Sequence, residues 1–252
     1  MRSVASFLLF LIAATAHAEL TVFAGVEYFN WQEDTSPTVK ETGPLLVGGL
    51  IWMQDKDKGI FFGYRGQVYF GQVNYSGSDL FTGAPLTAKV DYFGVLNEGQ
   101  FRYRFPLSGN EHLDAVLAAG ADIWRRQFSD SDQVEDWGVI YARFGAELGP
   151  SQGKPGLIAA LGLKYPVYTY ENANLTDIGF DQNPTLTPGK DWSAYASIGY
   201  RFGGNWSVVG YYDSYRFKES QTVQATLNGT QYTLFQPKSS MNVVGIQVLY
   251  SF

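Results

Sequence analysis

Apolar and polar residues alternate with a period of two along most of this chain. Over residues 242–252, Val244, Ile246, Val248, Tyr250 and Phe252 fall on every second position, with Gly245, Gln247 and Ser251 between them and Val243 and Leu249 as exceptions. Such a pattern places the two sets on opposite faces of a strand. The same reading predicts a strand over 20–31, where Leu20, Val22, Ala24, Val26 and Tyr28 oppose Thr21, Gly25 and Glu27. It predicts another over 60–73, with Phe62, Tyr64, Val68 and Phe70 opposing Gly63, Arg65, Gln67 and Gly71. In 113–128, Leu113, Ala115, Leu117 and Ile123 oppose Asp114, Gly120, Asp122 and Arg126. Farther on, Ile140, Ala142, Phe144 and Leu148 oppose Tyr141, Arg143 and Glu147; Leu157, Leu161, Leu163, Tyr165 and Val167 oppose Gly162 and Lys164; and Trp192, Ile198, Tyr200 and Phe202 oppose Ser193, Ser197 and Arg201.

Three stretches depart from this pattern. Residues 45–53 are apolar on both faces. In 88–105 one apolar face begins as Val90, Tyr92, Gly94 and Leu96 and ends as Phe101, Tyr103 and Phe105, opposite Gln100, Arg102 and Arg104. That change from even to odd predicts a β-bulge near 97–99. From Trp206 onward the parity is ambiguous, because Asp213 breaks one face and Arg216 the other. Turn residues punctuate the strands at 55–59, 106–110, 149–155 and 203–205, and longer polar stretches at 32–43, 74–87, 129–136 and 171–190 read as loops. Asn228-Gly229 is a hairpin signal ahead of the final strand, and Pro237 is expected above the bilayer. Short and long connections thus alternate around about ten strands, as they do when one rim of a barrel faces the periplasm and the other the outside.

The start of the chain reads differently. Arg2, an apolar run over 7–14 and the small-x-small site Ala16-His17-Ala18 predict a signal peptide over 1–18 and one domain over 19–252. A net charge of −6, from 18 basic and 24 acidic residues, argues against nucleic acid as a partner. There is no Cys, so the fold needs no disulfide. The 28 Gly, 18 Phe, 17 Tyr and 6 Trp suit tightly packed strands with aromatic ends.

The polar face carries Glu27, Arg65, Arg102, Arg104, Asp122, Arg143, Glu147, Lys164 and Arg201. A soluble sandwich or lipocalin-like barrel would have to bury the opposing Phe, Tyr, Leu and Trp, and a lumen of this size has little room for them. With the aromatics facing lipid, the charges meet inside a closed wall and pair, and closure satisfies every backbone polar group. An Arg facing lipid at mid-depth costs about 2–4 kcal/mol, so the lack of Arg and Lys among the apolar positions is informative. The fold class expected is all-β, a closed antiparallel up-and-down transmembrane β-barrel.

The terminal stretch ending Val248, Tyr250, Phe252 resembles the closing strand of bacterial outer-membrane β-barrels. That resemblance implies that these three residues form an assembly signal read by the barrel-assembly machinery, with periplasmic chaperones as further partners during biogenesis. It also implies a monomer in contact with outer-membrane lipid in the bacterial cell outer membrane. Omptin-family proteases, which share the strand count, use Asp-Asp and Asp-His pairs at the extracellular rim. Outside the signal segment this chain has one His, His112, and it lies beside the 106–110 turn on the opposite side.

No catalytic residue, cofactor or metal is expected. The acidic run Asp130, Asp132, Glu135, Asp136 lacks the spacing of a calcium loop and reads as solvated. Asp122 and Glu147 are more simply explained by salt bridges to Arg143, Arg102 or Arg65 than by paired-carboxylate chemistry. The function expected is that of a non-enzymatic outer-membrane barrel, envelope-structural or acting in surface interaction through its loops. A narrow porin-like channel for small solutes is the alternative, with a barrel-embedded hydrolase after it.

Overall fold

The computed structural model describes residues 18–79, 83–203 and 205–252. Most of the predicted signal segment, and residues 80–82 and 204 of two predicted connections, lie outside these. Seven long strands follow one another as β1 (Ala18–Glu33), β2 (Val39–Gln54), β3 (Gly59–Ser78), β4 (Pro85–Pro106), β5 (Glu111–Phe128), β6 (Val134–Pro150) and β7 (Gly156–Ala173). After a 3-10 turn (Leu175–Ile178) come the short β8 (Thr185–Leu186) and β9 (Gly189–Lys190), then β10 (Ser193–Arg201) and β11 (Trp206–Lys218). A hairpin of β12 (Val223–Leu227) and β13 (Thr230–Leu234) precedes β14 (Ser239–Ser251). Each long strand pairs antiparallel with the next; β7 pairs β10, β11 pairs β14, and β14 returns to β1 from Thr21↔Ser251 to Glu33↔Ser239. The wall is therefore a closed up-and-down barrel of ten strands.

The outward positions carry the apolar belt expected of a wall in lipid. Val26, Phe62, Phe70, Phe93, Leu117, Ile123, Ile140, Phe144, Ile198 and Ile246 all stand exposed on the outer face. On β4 the belt runs from Phe93 to Phe105. At about 3.3 Å per residue and a tilt of about 40° this spans about 30 Å, the thickness of a hydrocarbon core. The next outward residues up the strands are polar: Asp91 and Lys89 on β4, Gln72 and Asn74 on β3, Arg125 and Gln127 on β5. The strands continue well past this line, so the barrel stands above the membrane.

At that line the inner face changes as well. Below it the lumen is lined by charges; above it lie Trp31, Val73, Val90, Trp124, Trp137 and Phe217, all buried. The outer face has moved from lipid into water and the inner face from an ionic layer to an aromatic one, so hydrophobic phase inverts at this line while backbone register does not. This corrects the bulge expected near 97–99. β4 pairs with β3 and β5 without a register shift, and Val90, Tyr92, Gly94 and Leu96 point into the lumen. It also explains 45–53, where Leu45 and Val47 enter the aromatic core while Leu46 and Leu50 face out. The stretches 32–43 and 74–87, read as loops, are for the most part strand.

The register shift that does occur sits on β7. Ile140 pairs Tyr168 and Tyr141 pairs Pro166, leaving Val167 as the extra residue. Proline lacks an N–H for the ladder, which favours a bulge at its flank. Val167 and Tyr168 are both exposed, and from there the parity of β7 reverses so that Thr169, Glu171 and Ala173 point inward.

Above the barrel, the two long connections fold onto each other. Leu175, Phe180 and Ala225 form a small apolar cluster with Ala173, against which Leu227, Tyr232 and Leu234 pack. Asn228 and Gly229 make the turn between β12 and β13 with φ of 49° and 79°, as a two-residue hairpin of the Asn-Gly kind requires. The turn signal was correct, but the hairpin it closes stands above the membrane and is not part of the barrel wall.

Candidate functional site: a lumen bridged from wall to wall

The candidate site is the lumen, built in layers by the inward parity of the strands. At the lower end Arg104 on β4 places Nε and Nη2 on Asp114 of β5, both at 2.9 Å. His112 Nε2 lies 3.6 Å from the same carboxylate, and Arg201 reaches Glu19 at 3.2 Å. One layer up, Arg102 bonds Glu147 and stands 3.4 Å from Asp114, while Arg143 reaches Glu98 at 3.5 Å and Glu147 at 3.4 Å. Arg143 also lies 4.2 Å above the Tyr195 ring. The next layer holds Lys164, 2.5 Å from Asp213 and 3.5 Å from the Tyr215 ring centre. Beside it Asp122 accepts from the hydroxyls of Tyr69 (2.9 Å) and Tyr215 (3.2 Å), and Glu27 accepts from Tyr211. Arg65 donates to Gln67 at 2.7 Å and lies 5.3 Å from the Phe23 ring.

All nine charges named from sequence therefore line one lumen, at several heights. Lys164, Arg102, Asp122, Glu27 and Arg143 are buried, and each bonds to a strand that is not its neighbour in the wall. Asp122 is held by tyrosines and Glu147 by two arginines, so the two carboxylates serve separate layers.

The aromatic layer comes next. Trp31 on β1 and Trp137 on β6 stand on opposite walls, and their ring centres lie 5.1 Å apart. Trp124 on β5 stacks on Trp137 at 5.4 Å, and Phe217 on β11 lies 5.7 Å from Trp137 and 5.9 Å from Trp31. Rings from opposite sides thus meet on the barrel axis. The cavities beneath them include one of about 120 Å³ among the mid-lumen charges and one of about 190 Å³ lined by Arg102, Arg104, His112 and Arg201 at the lower end. Over the aromatics sits a second charged layer that the sequence reading did not assemble. Arg126 of β5 lies between Glu41 of β2 and Glu135 of β6, with the Tyr92 hydroxyl also on Glu41. The run Asp130 to Asp136 is not one loop cluster: on β6, Glu135 turns inward to Arg126 and Asp136 outward to Arg125, whose Nε is 2.7 Å away. Glu41 lies between outward Lys40 and Thr42, and Glu135 beside outward Asp136; that parity was the one signal that could have found them.

Glycine sets how closely these layers pack. Tyr69, Tyr141, Tyr195 and Tyr211 each sit directly across from a glycine on the next strand: Gly94, Gly120, Gly162 and Gly245. A Cβ on Gly94 would fall 2.1 Å from the Tyr69 ring, so the tyrosine lies flat over the space a side chain would fill.

Neither a family model nor a curated protein matches the chain. Solved structures do. The outer membrane protease OmpT from Escherichia coli aligns over 95% of this chain and 98% of its own, with a TM-score of 0.55 at 10% identity. The transport unit of the autotransporter AIDA-I from Escherichia coli aligns over 98% and 94%, with a TM-score of 0.47 at 9% identity. The likeness is one of fold, and the apolar belt supplies the location. This is an integral β-barrel of the bacterial outer membrane. In it Val248 faces lipid, and Tyr250 and Phe252 pack edge to face at 4.9 Å at the lower rim.

Proposed function

We propose that this barrel is non-enzymatic and non-conducting, and that it acts in surface interaction or envelope structure through the part it lifts above the membrane. The contact of Trp31 and Trp137 across the full diameter carries this reading. Trp31, Trp124, Trp137 and Phe217 line neither cavity, and both cavities lie on the lower side of that layer. This weighs against the channel alternative, since a conducting barrel needs a continuous wet path. One structural neighbour is an outer membrane protease, which raises the hydrolase alternative. His112, the one histidine among the described residues, sits at the opposite end beside Asp114 and Arg104, which weighs against it.

The test is a planar bilayer. Purified wild-type protein is expected to give no discrete conductance steps, and reproducible steps would overturn the non-conducting part of the proposal. A hydrolytic activity of the pure protein that disappears in His112→Ala would overturn the non-enzymatic part.

A further inference from the structure

The hairpin of β12 and β13 has two edges, and the fold treats them differently. Its Asn228-Gly229 turn makes Leu227↔Thr230 the first hydrogen-bonded pair, followed by Ala225↔Tyr232 and Val223↔Leu234. The backbone groups of Gln224 and Thr226 therefore point away from β13, and those of Gln231 and Thr233 away from β12. The first edge is covered. Asp181 N–H donates to the Thr226 carbonyl at 2.9 Å, the Asp181 carboxylate accepts from the Thr226 N–H at 2.7 Å, and the Gln182 side chain takes the Gln224 carbonyl. The second edge is open: the backbones of Gln231 and Thr233 bond to nothing among the described residues, and both residues are exposed.

An open edge is a template for another strand, and proteins ordinarily guard it with charge, proline or a bulge. Here residues 220–237 contain no Asp, Glu, Lys or Arg, and β13 has neither a proline nor a bulge. The residues that flank this span, Glu219 and Lys238, are charged, so the neutral stretch coincides with the hairpin. An incoming strand with charges would lose their hydration against an edge offering no counter-charge. A fitting strand is neutral and extended, and β13 itself has those properties.

We infer that β13 pairs with β13 of a second copy of this chain, antiparallel and two-fold symmetric about Tyr232. This register sets Gln231 opposite Thr233 of the other copy and uses every outward backbone group on both edges. Association stops at two, because the outer edge of each β12 is already covered. The sequence gives no reason to expect more than a monomer; the free edge supplies one. A contact of this size falls short of what a stable dimer in solution needs. It gains from confinement to one membrane, where every copy presents its hairpin at the same height. The inference rests on the proposal that the extracellular part is the working surface, and it names the partner.

The chain has no cysteine, so introduced thiols report without background. Gln231→Cys and Thr233→Cys proteins are prepared separately, mixed, reconstituted in phosphatidylethanolamine–phosphatidylglycerol vesicles and mildly oxidised. Residues of a hydrogen-bonded antiparallel pair have Cα atoms about 5.5 Å apart, within disulfide range. The mixture is expected to cross-link several-fold faster than either protein alone, and a mixture of Gln224→Cys and Thr226→Cys, on the covered edge, not at all. A mixture no faster than its components overturns the pairing. Should a thiol variant misfold, subunit counting by photobleaching on labelled wild type decides: pairs that become single molecules in Thr233→Pro uphold the inference. Wild-type molecules that remain single overturn it and leave the edge to an extended segment of a different protein. Conductance steps would overturn the closed-lumen reading without touching the cross-link result, and a missing cross-link would leave the lumen as it stands.

Discussion

Arg125 and Arg126 are neighbours on β5 and sit in different surroundings. Arg125 points outward above the belt with its side chain 59% exposed, paired with Asp136. Arg126 points inward at 9%, between Glu41 and Glu135. Exposed pairs contribute about 0–1 kcal/mol, whereas removing one member of a buried network strands the others and costs about 3–5 kcal/mol. In urea unfolding of the reconstituted barrel, Arg125→Ala should therefore leave the midpoint almost unmoved and Arg126→Ala should lower it strongly. A similar contrast holds for glycine. Gly94→Val drives the Tyr69 ring off its seat and breaks its bond to Asp122. Overpacking of this kind costs about 1–3 kcal/mol, to be read as a lower unfolding midpoint. The number of glycines was plain from composition, but their placement opposite tyrosines was not, because it depends on cross-strand register.

At the scale of the strand, one face can change partner without the backbone changing register. β5 carries Leu117 at mid-belt, 58% exposed to lipid, and Gln127 above the belt on the same face. Leu117→Arg should cost about 2–4 kcal/mol in folding equilibria from lipid vesicles, while Gln127→Arg should be neutral. Equal effects at the two positions would mean that the boundary between Ile123 and Arg125 is misplaced. The alternation of β1, β3, β5, β6 and β10 was legible because each keeps one apolar face through the belt. β4 was misread because Val90 and Tyr92 above the belt, and Leu96 within it, belong to the inner core, and an alternating pattern does not say which side is lipid. The bulge on β7 left a sequence trace in Pro166, but only the pairing with β6 identifies Val167 as the extra residue.

For the molecule as a whole, the wall and the cap above it are separate cores. The cap cluster around Phe180 and Leu227 shares no residue with the barrel's aromatic core. Replacing residues 222–235 by a short Gly-Ser turn should therefore leave the unfolding midpoint of the barrel unchanged and speed proteolysis within 174–192, since local opening follows local packing. A barrel that no longer folds after this excision would show that the cap is part of the wall's stability. The excision keeps Gln236, whose side chain donates to Glu33 at 3.0 Å inside the rim.

The sequence alone determined the strand character, the closed antiparallel barrel and the lipid-facing set, because period-two alternation is a local property and closure follows from the need to satisfy backbone groups in lipid. It also named the charges of the lower lumen, since they share a parity with their neighbours along each strand. Only the tertiary structure decided which charges pair, that Trp31 and Trp137 meet across the axis, that the strands rise above the membrane with their faces inverted, and that the Asn-Gly hairpin belongs to the cap. Those features depend on which residues face each other across the barrel, and a contact between opposite walls leaves no periodic mark in either strand.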